Sequence, residues 1–269
     1  MSHQAVLVTG ATDGIGEELA RGLAAQGALV LVHGRSRESV EAAGRRIGGR
    51  WEPAVADLES FAQVRALAED VSRRHPRLDG LANVAGVGYL TAPPRGARTE
   101  DGREVTWQVN FLAPFLLTSL LGDALADGGG RVVHVSSGVQ ASGAVDLERP
   151  DDPRTATPYT QSKIAMVMHA RELGDRWRDR GVDVNACDPG WIATKMGGSG
   201  GGPLADGADT PLWLLTDPAL EGTTGGFFWR RRPDTPNPQV EDAGARRRLW
   251  DLAASQVGLS DEFPAGRRS

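Results

Sequence analysis

Short apolar runs rich in Val, Leu and Ala recur along this chain and alternate with longer stretches of helical periodicity. That alternation calls for a parallel sheet covered by helices on both faces, because strands buried on two sides read as continuous apolar runs. Strands are predicted near residues 5–8, 28–33, 52–56, 80–83, 131–136, 182–187 and 226–229. Helices are predicted near residues 15–26, 37–47, 61–75, 102–126, 158–180 and 208–215. A last charged helix near 240–256 follows a connector containing Pro233, Pro236 and Pro238. No linker-like break interrupts the 269 residues, so the expectation is an α/β fold in one domain. It would be a single Rossmann-type, doubly wound parallel sheet of about seven strands, with a C-terminal helical extension.

The charge balance excludes several partners. Net charge is −5 and the basic residues are interspersed with acids, which leaves no basic face for nucleic acid. The one basic run, Trp229-Arg230-Arg231-Arg232, reads as a solvated turn after a strand. No apolar run reaches the roughly 18 residues needed to cross a bilayer. The single cysteine, Cys187, forbids an internal disulfide and suits a reducing cytoplasm. The histidines show no metal-ligand spacing with one another or with Cys187, so no metal is expected. The expected partner is a small-molecule substrate, and exposed helix faces leave room for a homo-oligomer.

Thr9-Gly10-Ala11-Thr12-Asp13-Gly14-Ile15-Gly16 closes the first strand and opens the first helix. Glycines there permit a tight turn and close backbone approach, while amides at the helix start face an anion such as a pyrophosphate. Glycines in a plain strand-to-helix turn would look alike, so the second strand adds the deciding evidence. It ends His33-Gly34-Arg35-Ser36, with no acid to hold the ribose hydroxyls of NAD. Arg35, with Ser36 beside it, can instead meet a 2′-phosphate through charge-assisted bonds, which selects NADP(H).

Tyr159 and Lys163 stand one helical turn apart in a chain with two tyrosines, and only two of its 30 Lys and Arg residues are lysines. Residues at i and i+4 share a helix face. An ammonium near a phenol favours its ionised form and would bring a pKa near 10 toward neutrality, giving an acid/base usable at working pH.

Together these motifs resemble the short-chain dehydrogenase/reductase family, in its compact branch, from the first strand to about Thr194. The resemblance implies a mechanism in which a hydride passes between the nicotinamide and a carbonyl or alcohol carbon, with Tyr159 as acid/base. Lys163 would hold the ribose and tune the phenol. The second serine of Ser136-Ser137 would polarise the substrate oxygen, so Ser137 is preferred. Asn110 matches a helix asparagine that places a water beside the lysine; an amide in so apolar a helix is costly unless bonded. Asp57 and Leu58 are expected at the adenine, and Asn83, Ala85 and Gly86 match a turn that supports the cofactor. Pro189, Gly190, Ile192 and Thr194 match the segment contacting the nicotinamide.

A longer, polar interval before Tyr159 is similar to retinol-dehydrogenase-like and protochlorophyllide-reductase-like members, which implies a bulky, largely apolar substrate. Residues 190–204 would form a flap over it, with Trp191 and Met196 as its apolar groups and the glycines of 197–202 as hinge. Tyr89 would form the opposite wall. The same residues could support C=C reduction or epimerisation through a ketone. A catalytically idle NADP-binding sensor is the rival from another class, against which the presence of Asn110, Ser137, Tyr159 and Lys163 together argues.

Overall fold

Alternate residues of each strand point to opposite faces of the sheet, and the two faces bury separate apolar clusters. The structure, a computed structural model, describes residues 4–152 and 157–259. The first half runs β1 (Ala5–Val8), α1 (Gly14–Ala25), β2 (Leu29–Gly34), α2 (Arg37–Ile47), β3 (Arg50–Val55), α3 (Phe61–Arg74) and β4 (Gly80–Asn83). It continues with α4 (Val105–Trp107), a π turn (Gln108–Leu112), α5 (Ala113–Leu120), α6 (Gly122–Gly128) and β5 (Arg131–Val135). The second half runs α7 (Pro158–Trp177), β6 (Asp183–Asp188), α8 (Leu204–Thr216), β7 (Phe227–Trp229), β8 (Arg232–Pro233), α9 (Pro238–Glu241) and α10 (Ala243–Val257).

The strands form one sheet in the order β3-β2-β1-β4-β5-β6-β7-β8. All pairs are parallel except β7 with β8. Strand order reverses direction between β1 and β4, which opens a crevice at their carboxyl ends. Leu7, Leu31, Leu81 and Val132 pack against α3, α5 and α7 on one face. Val6, Val8, Val30 and Val133 pack against α1, α2 and α8 on the other.

Three departures from the sequence expectation have local causes. There are eight strands, the eighth a two-residue antiparallel partner of β7. Arg230 and Arg231 take positive φ to make the turn between them, and Arg231 pairs with Asp209. The helix expected over 102–126 is broken by the π turn, and its last part is bent away by 59° at Leu121. Gly122 permits that bend close against α7: a Cβ there would lie 2.9 Å from the Trp177 ring. Helix α8 begins one turn earlier than expected and accommodates Pro211 inside it. Among the described residues no single helix is long and apolar enough to cross a membrane.

Helix α7 is buried nearly all round because the C-terminal α10 lies over it. Arg246 of α10 anchors that contact, reaching Glu172 and Asp175 at 3.3 Å each and donating to the Val240 carbonyl at 2.7 Å. Its side chain is 8% exposed and that of Glu172 10%, and Arg176 meets the other oxygen of the same carboxylate at 2.9 Å. Arg246→Ala, which leaves Glu172 to Arg176 alone, is expected to cost about 2 kcal/mol in urea unfolding. A loss under about 0.5 kcal/mol would mean that apolar contacts alone hold α10.

Candidate active site

Backbone from β1 and β4 meets at the sheet edge with no room for side chains. A Cβ on Gly10 would lie 2.8 Å from the Ala85 Cα, and one on Gly16 would lie 2.3 Å from the Gly10 carbonyl oxygen. The buried Thr9 hydroxyl joins the two turns: it donates to the Ala82 carbonyl at 3.2 Å and accepts from the Val84 and Ala85 amides at 2.9 and 3.1 Å. Below, the His33 Nδ1 accepts the Gly10 amide at 3.1 Å. Burial pushes that imidazole down to about 4, keeping it neutral and able to accept.

Helix α1 therefore starts against the crevice. Asp13 at its N-cap makes no side-chain cap bond, and its carboxylate instead meets Lys195 at 2.5 Å. The first-turn amides of this 12-residue helix are left without a side-chain cap beside a cleft of about 750 Å³. Gly10, Thr12, Asp13, Gly14, Ile15 and Gly16 line one wall, and Arg35, Ser36, Asp57 and Leu58 line the far end. Ala85, Gly86, Tyr159, Lys163, Pro189, Thr194 and Met196 line the remainder. The Ser36 hydroxyl also caps α2 by accepting the Ser39 amide at 3.2 Å.

Several predicted residues lie elsewhere. Asn83 is buried behind the turn, donating to the Thr118 hydroxyl at 3.0 Å and meeting the His134 Nδ1 at 3.1 Å, so it braces the strand end from the core. Gly190 and Ile192 are outside the cleft wall, Ile192 being buried beneath the following loop. Trp191 is 69% exposed and folds onto its own loop, its indole N–H donating to the Gly197 carbonyl at 2.9 Å. Within that loop Ile192 pairs with Gly202 and Thr194 with Gly198. Its glycines serve close packing: a Cβ on Gly201 would lie 2.4 Å from the Ile192 carbonyl carbon.

At the inner end of the cleft, Tyr159 and Lys163 share one face of α7. The Lys163 ammonium donates to the Val135 carbonyl at 2.9 Å and lies 5.5 Å from the Tyr159 ring centroid. Burial pushes Lys163 down to about 8. Tyr159 is pushed up to about 12, by burial first and then by the Tyr89 phenol, with the Ser137 hydroxyl acting in the opposite sense. A near-neutral phenol, as the helical spacing suggested, is therefore not what the protein alone creates; desolvation of the phenolate outweighs the ammonium, which is held by a carbonyl.

The two serines divide their work. Ser136 is buried and donates to the Lys163 carbonyl at 2.8 Å, tying β5 to α7. Ser137 accepts the Val139 amide at 3.4 Å and stands beside the Tyr159 phenol. Asn110, in the π turn, accepts the Val87 amide at 2.8 Å, donates to the Val87 carbonyl at 2.9 Å and donates to Ser162 at 3.2 Å. Its amide thus clamps the cleft wall to α7. Tyr89, at φ +44° and 61% exposed, sets its ring 4.8 Å from that of Tyr159. The Met196 sulfur lies 3.8 Å from the Tyr159 hydroxyl, and the Leu90 amide donates to the Met196 carbonyl at 3.3 Å.

Thr9, His33, Val87 and Asp188 belong to this arrangement and were not singled out from sequence. The Asp188 signal was available in Cys187-Asp188-Pro189-Gly190, an acid at a strand's carboxyl end directly before the cleft segment.

This is the site of a dinucleotide-type α/β protein, and the chain belongs to the short-chain dehydrogenase family, whose model matches residues 4–201. It is 36% identical over 272 residues to a Streptomyces protein provisionally assigned as the daunorubicin C-13 ketoreductase DnrU, covering 94% of this chain and 92% of the relative. Retinol dehydrogenase 13 of Mus musculus is 34% identical over 284 residues, covering 95% of this chain and 84% of the relative. The crystal structure of the landomycin C-6 ketoreductase LanV with bound NADP and rabelomycin is 28% identical with a TM-score of 0.65, covering 84% of this chain and 93% of that one.

The buried imidazoles around the site give it an acid limit. His33 is held at about 4 and His134 at about 3, both by burial, against about 6.5 for a free imidazole. Below that free value the unfolded chain binds protons that the folded one refuses, so stability is full above pH ~6.5 and falls as pH drops toward 4. Urea unfolding at pH 5 is expected to show a loss of roughly 2 kcal/mol per histidine relative to pH 7. Equal stability at the two pH values would mean that both rings reach solvent.

Proposed function

We propose that the protein is an NADP(H)-dependent oxidoreductase that moves a hydride between the nicotinamide and a carbonyl or alcohol carbon of a bulky, largely apolar substrate. One observation carries this reading: the uncapped start of α1, Arg35, the Tyr159 phenol and the Lys163 ammonium all line one cleft, with the Ser137 hydroxyl beside the phenol.

The residues present fit the cofactor. The first-turn amides of α1 suit a pyrophosphate, and the absence of side chains at Gly10 and Gly16 allows the close turn that presents them. Arg35 and Ser36, where β2 ends, would hold a 2′-phosphate. Asp57 and Leu58 would border the adenine, Lys163 the ribose, and Pro189 with Thr194 the nicotinamide. When bound, the reduced nicotinamide supplies the hydride.

The chain's own residues handle the proton. Tyr159, held toward its neutral form by burial, donates to the substrate oxygen as negative charge develops there. Ser137 donates a hydrogen bond to the same oxygen and sets its position. Asn110 keeps the Val87 wall and α7 in register so that phenol and ammonium face the cleft together. Tyr89 and Met196 exclude water around the phenol, which strengthens each of these interactions. The bulky apolar substrate class is supported by relatives named for daunorubicin, retinol and landomycin chemistry.

Calorimetry with NADPH and NADH tests the cofactor half of this reading. NADPH is expected to bind far more tightly, and Arg35→Ala to lose about 1.5 to 3 kcal/mol for NADPH with little change for NADH. Equal affinity of the unaltered protein for both would remove the assignment. An NADPH-oxidation screen over bulky ketones and aldehydes tests the other half.

A further inference from the structure

We infer that Asp188, at the carboxyl end of β6, is a positioning residue for the proton donor: its fixed carboxylate, set beside the Ser137 corner and the Tyr159–Lys163 pair, keeps both of their protons in place. This rests on the proposed role of Tyr159 as acid/base.

The placement follows from the sheet register. Val135 pairs with Cys187, and the Ser136 amide donates to the Cys187 carbonyl at 2.8 Å, so Asp188 leaves the sheet alongside Ser136, Ser137 and Gly138. One carboxylate oxygen accepts the Gly190 amide at 2.9 Å, which fixes its orientation. The other faces Gly138, where a Cβ would come within 2.8 Å of it. Gly138 thus leaves the space that the carboxylate occupies. Lys163 bonds to the Val135 carbonyl on this same β5–β6 edge.

The titratable groups facing the pair come from four elements. Tyr89 faces Tyr159 from the segment after β4, and Lys163 lies over its ring from α7. His134 on β5 and Cys187 on β6 face Lys163. Asp188 stands on the β5–β6 edge where Lys163 bonds to the Val135 carbonyl, and a negative charge there opposes phenolate formation and supports the ammonium. The effect has that sign at each: Asp188 raises Tyr159, and it raises Lys163 against the lowering by burial.

The chemical consequence is a bias in pH dependence, with the reaction equilibrium unchanged. In the reductive sense the phenol must hold a proton to give. In the oxidative sense it must first lose one. A carboxylate at Asp188 therefore extends the reductive arm to more alkaline pH and delays the oxidative arm.

Asp188→Asn separates charge from structure, because its amide oxygen can still accept the Gly190 N–H. The chain has two tyrosines, so a Tyr89→Phe background leaves Tyr159 as the sole phenol, and its near-ultraviolet phenolate absorbance can be read without cofactor or substrate. Circular dichroism sets the highest pH at which each variant is native. At that common pH, Asp188→Asn in the Tyr89→Phe background is expected to hold at least about threefold more phenolate than its parent, and Asp188→Glu to stay near the parent. The reductive kcat/KM of Asp188→Asn should also decline at lower pH than that of the unaltered enzyme. Equal phenolate in the Asn variant and parent, or a Glu variant displaced as far as the Asn variant, would reduce Asp188 to a cap on Gly190. A phenolate difference in a protein that turns over no carbonyl would uphold Asp188 while overturning the reaction class.

Discussion

The buried Thr9 hydroxyl makes three hydrogen bonds where β1 and β4 diverge, and the geometry of the cleft follows from that joint. By holding the Val84 and Ala85 amides it brings the turn after β4 against Gly10 so closely that no Cβ fits between them. Gly10 is held from the other side by the neutral His33 ring. The start of α1 is thereby aimed into the crevice, and the same β4 turn continues to Val87, which Asn110 clamps to α7. The uncapped amides of α1 and the Tyr159–Lys163 pair are thus tied to one path of backbone.

Along that path the electrostatics favour neutral groups. Burial raises Tyr159, lowers Lys163 and keeps His33 and His134 uncharged. A site built this way holds its phenol as an acid by default. The contacts that oppose ionisation come from residues brought in by tertiary structure, Tyr89 and Asp188, and the Ser137 hydroxyl favours the ionised form. Carbonyl reduction, which begins from a protonated donor, suits that balance.

The sheet was legible because parallel strands buried on both faces are dominated by apolar residues, as the runs at 5–8, 29–32 and 132–135 are. The eighth strand was not, since two residues carry no periodicity. The π turn leaves no mark in the sequence because one extra residue per turn barely alters an apolar pattern, and the Asn110 bonds to Val87 that accompany it are long-range. In the site, Tyr159, Lys163 and the glycine turn were readable from spacing along one helix or one loop. The inward brace of Asn83 and the outward fold of Trp191 depend on which neighbours meet them in three dimensions. The close packing of Gly197 and Gly201 on the Ile192 backbone is likewise invisible in composition.

Tyr159 as the proton donor is the claim on which the rest converges. Its most direct measurement couples NADPH consumption to alcohol formation on an accepted ketone, in the unaltered enzyme and in Tyr159→Phe, with cofactor affinity measured alongside. The account predicts that turnover falls by at least about a hundredfold while NADPH binding is unchanged. A Tyr159→Phe enzyme that reduces the ketone at the unaltered rate would contradict it.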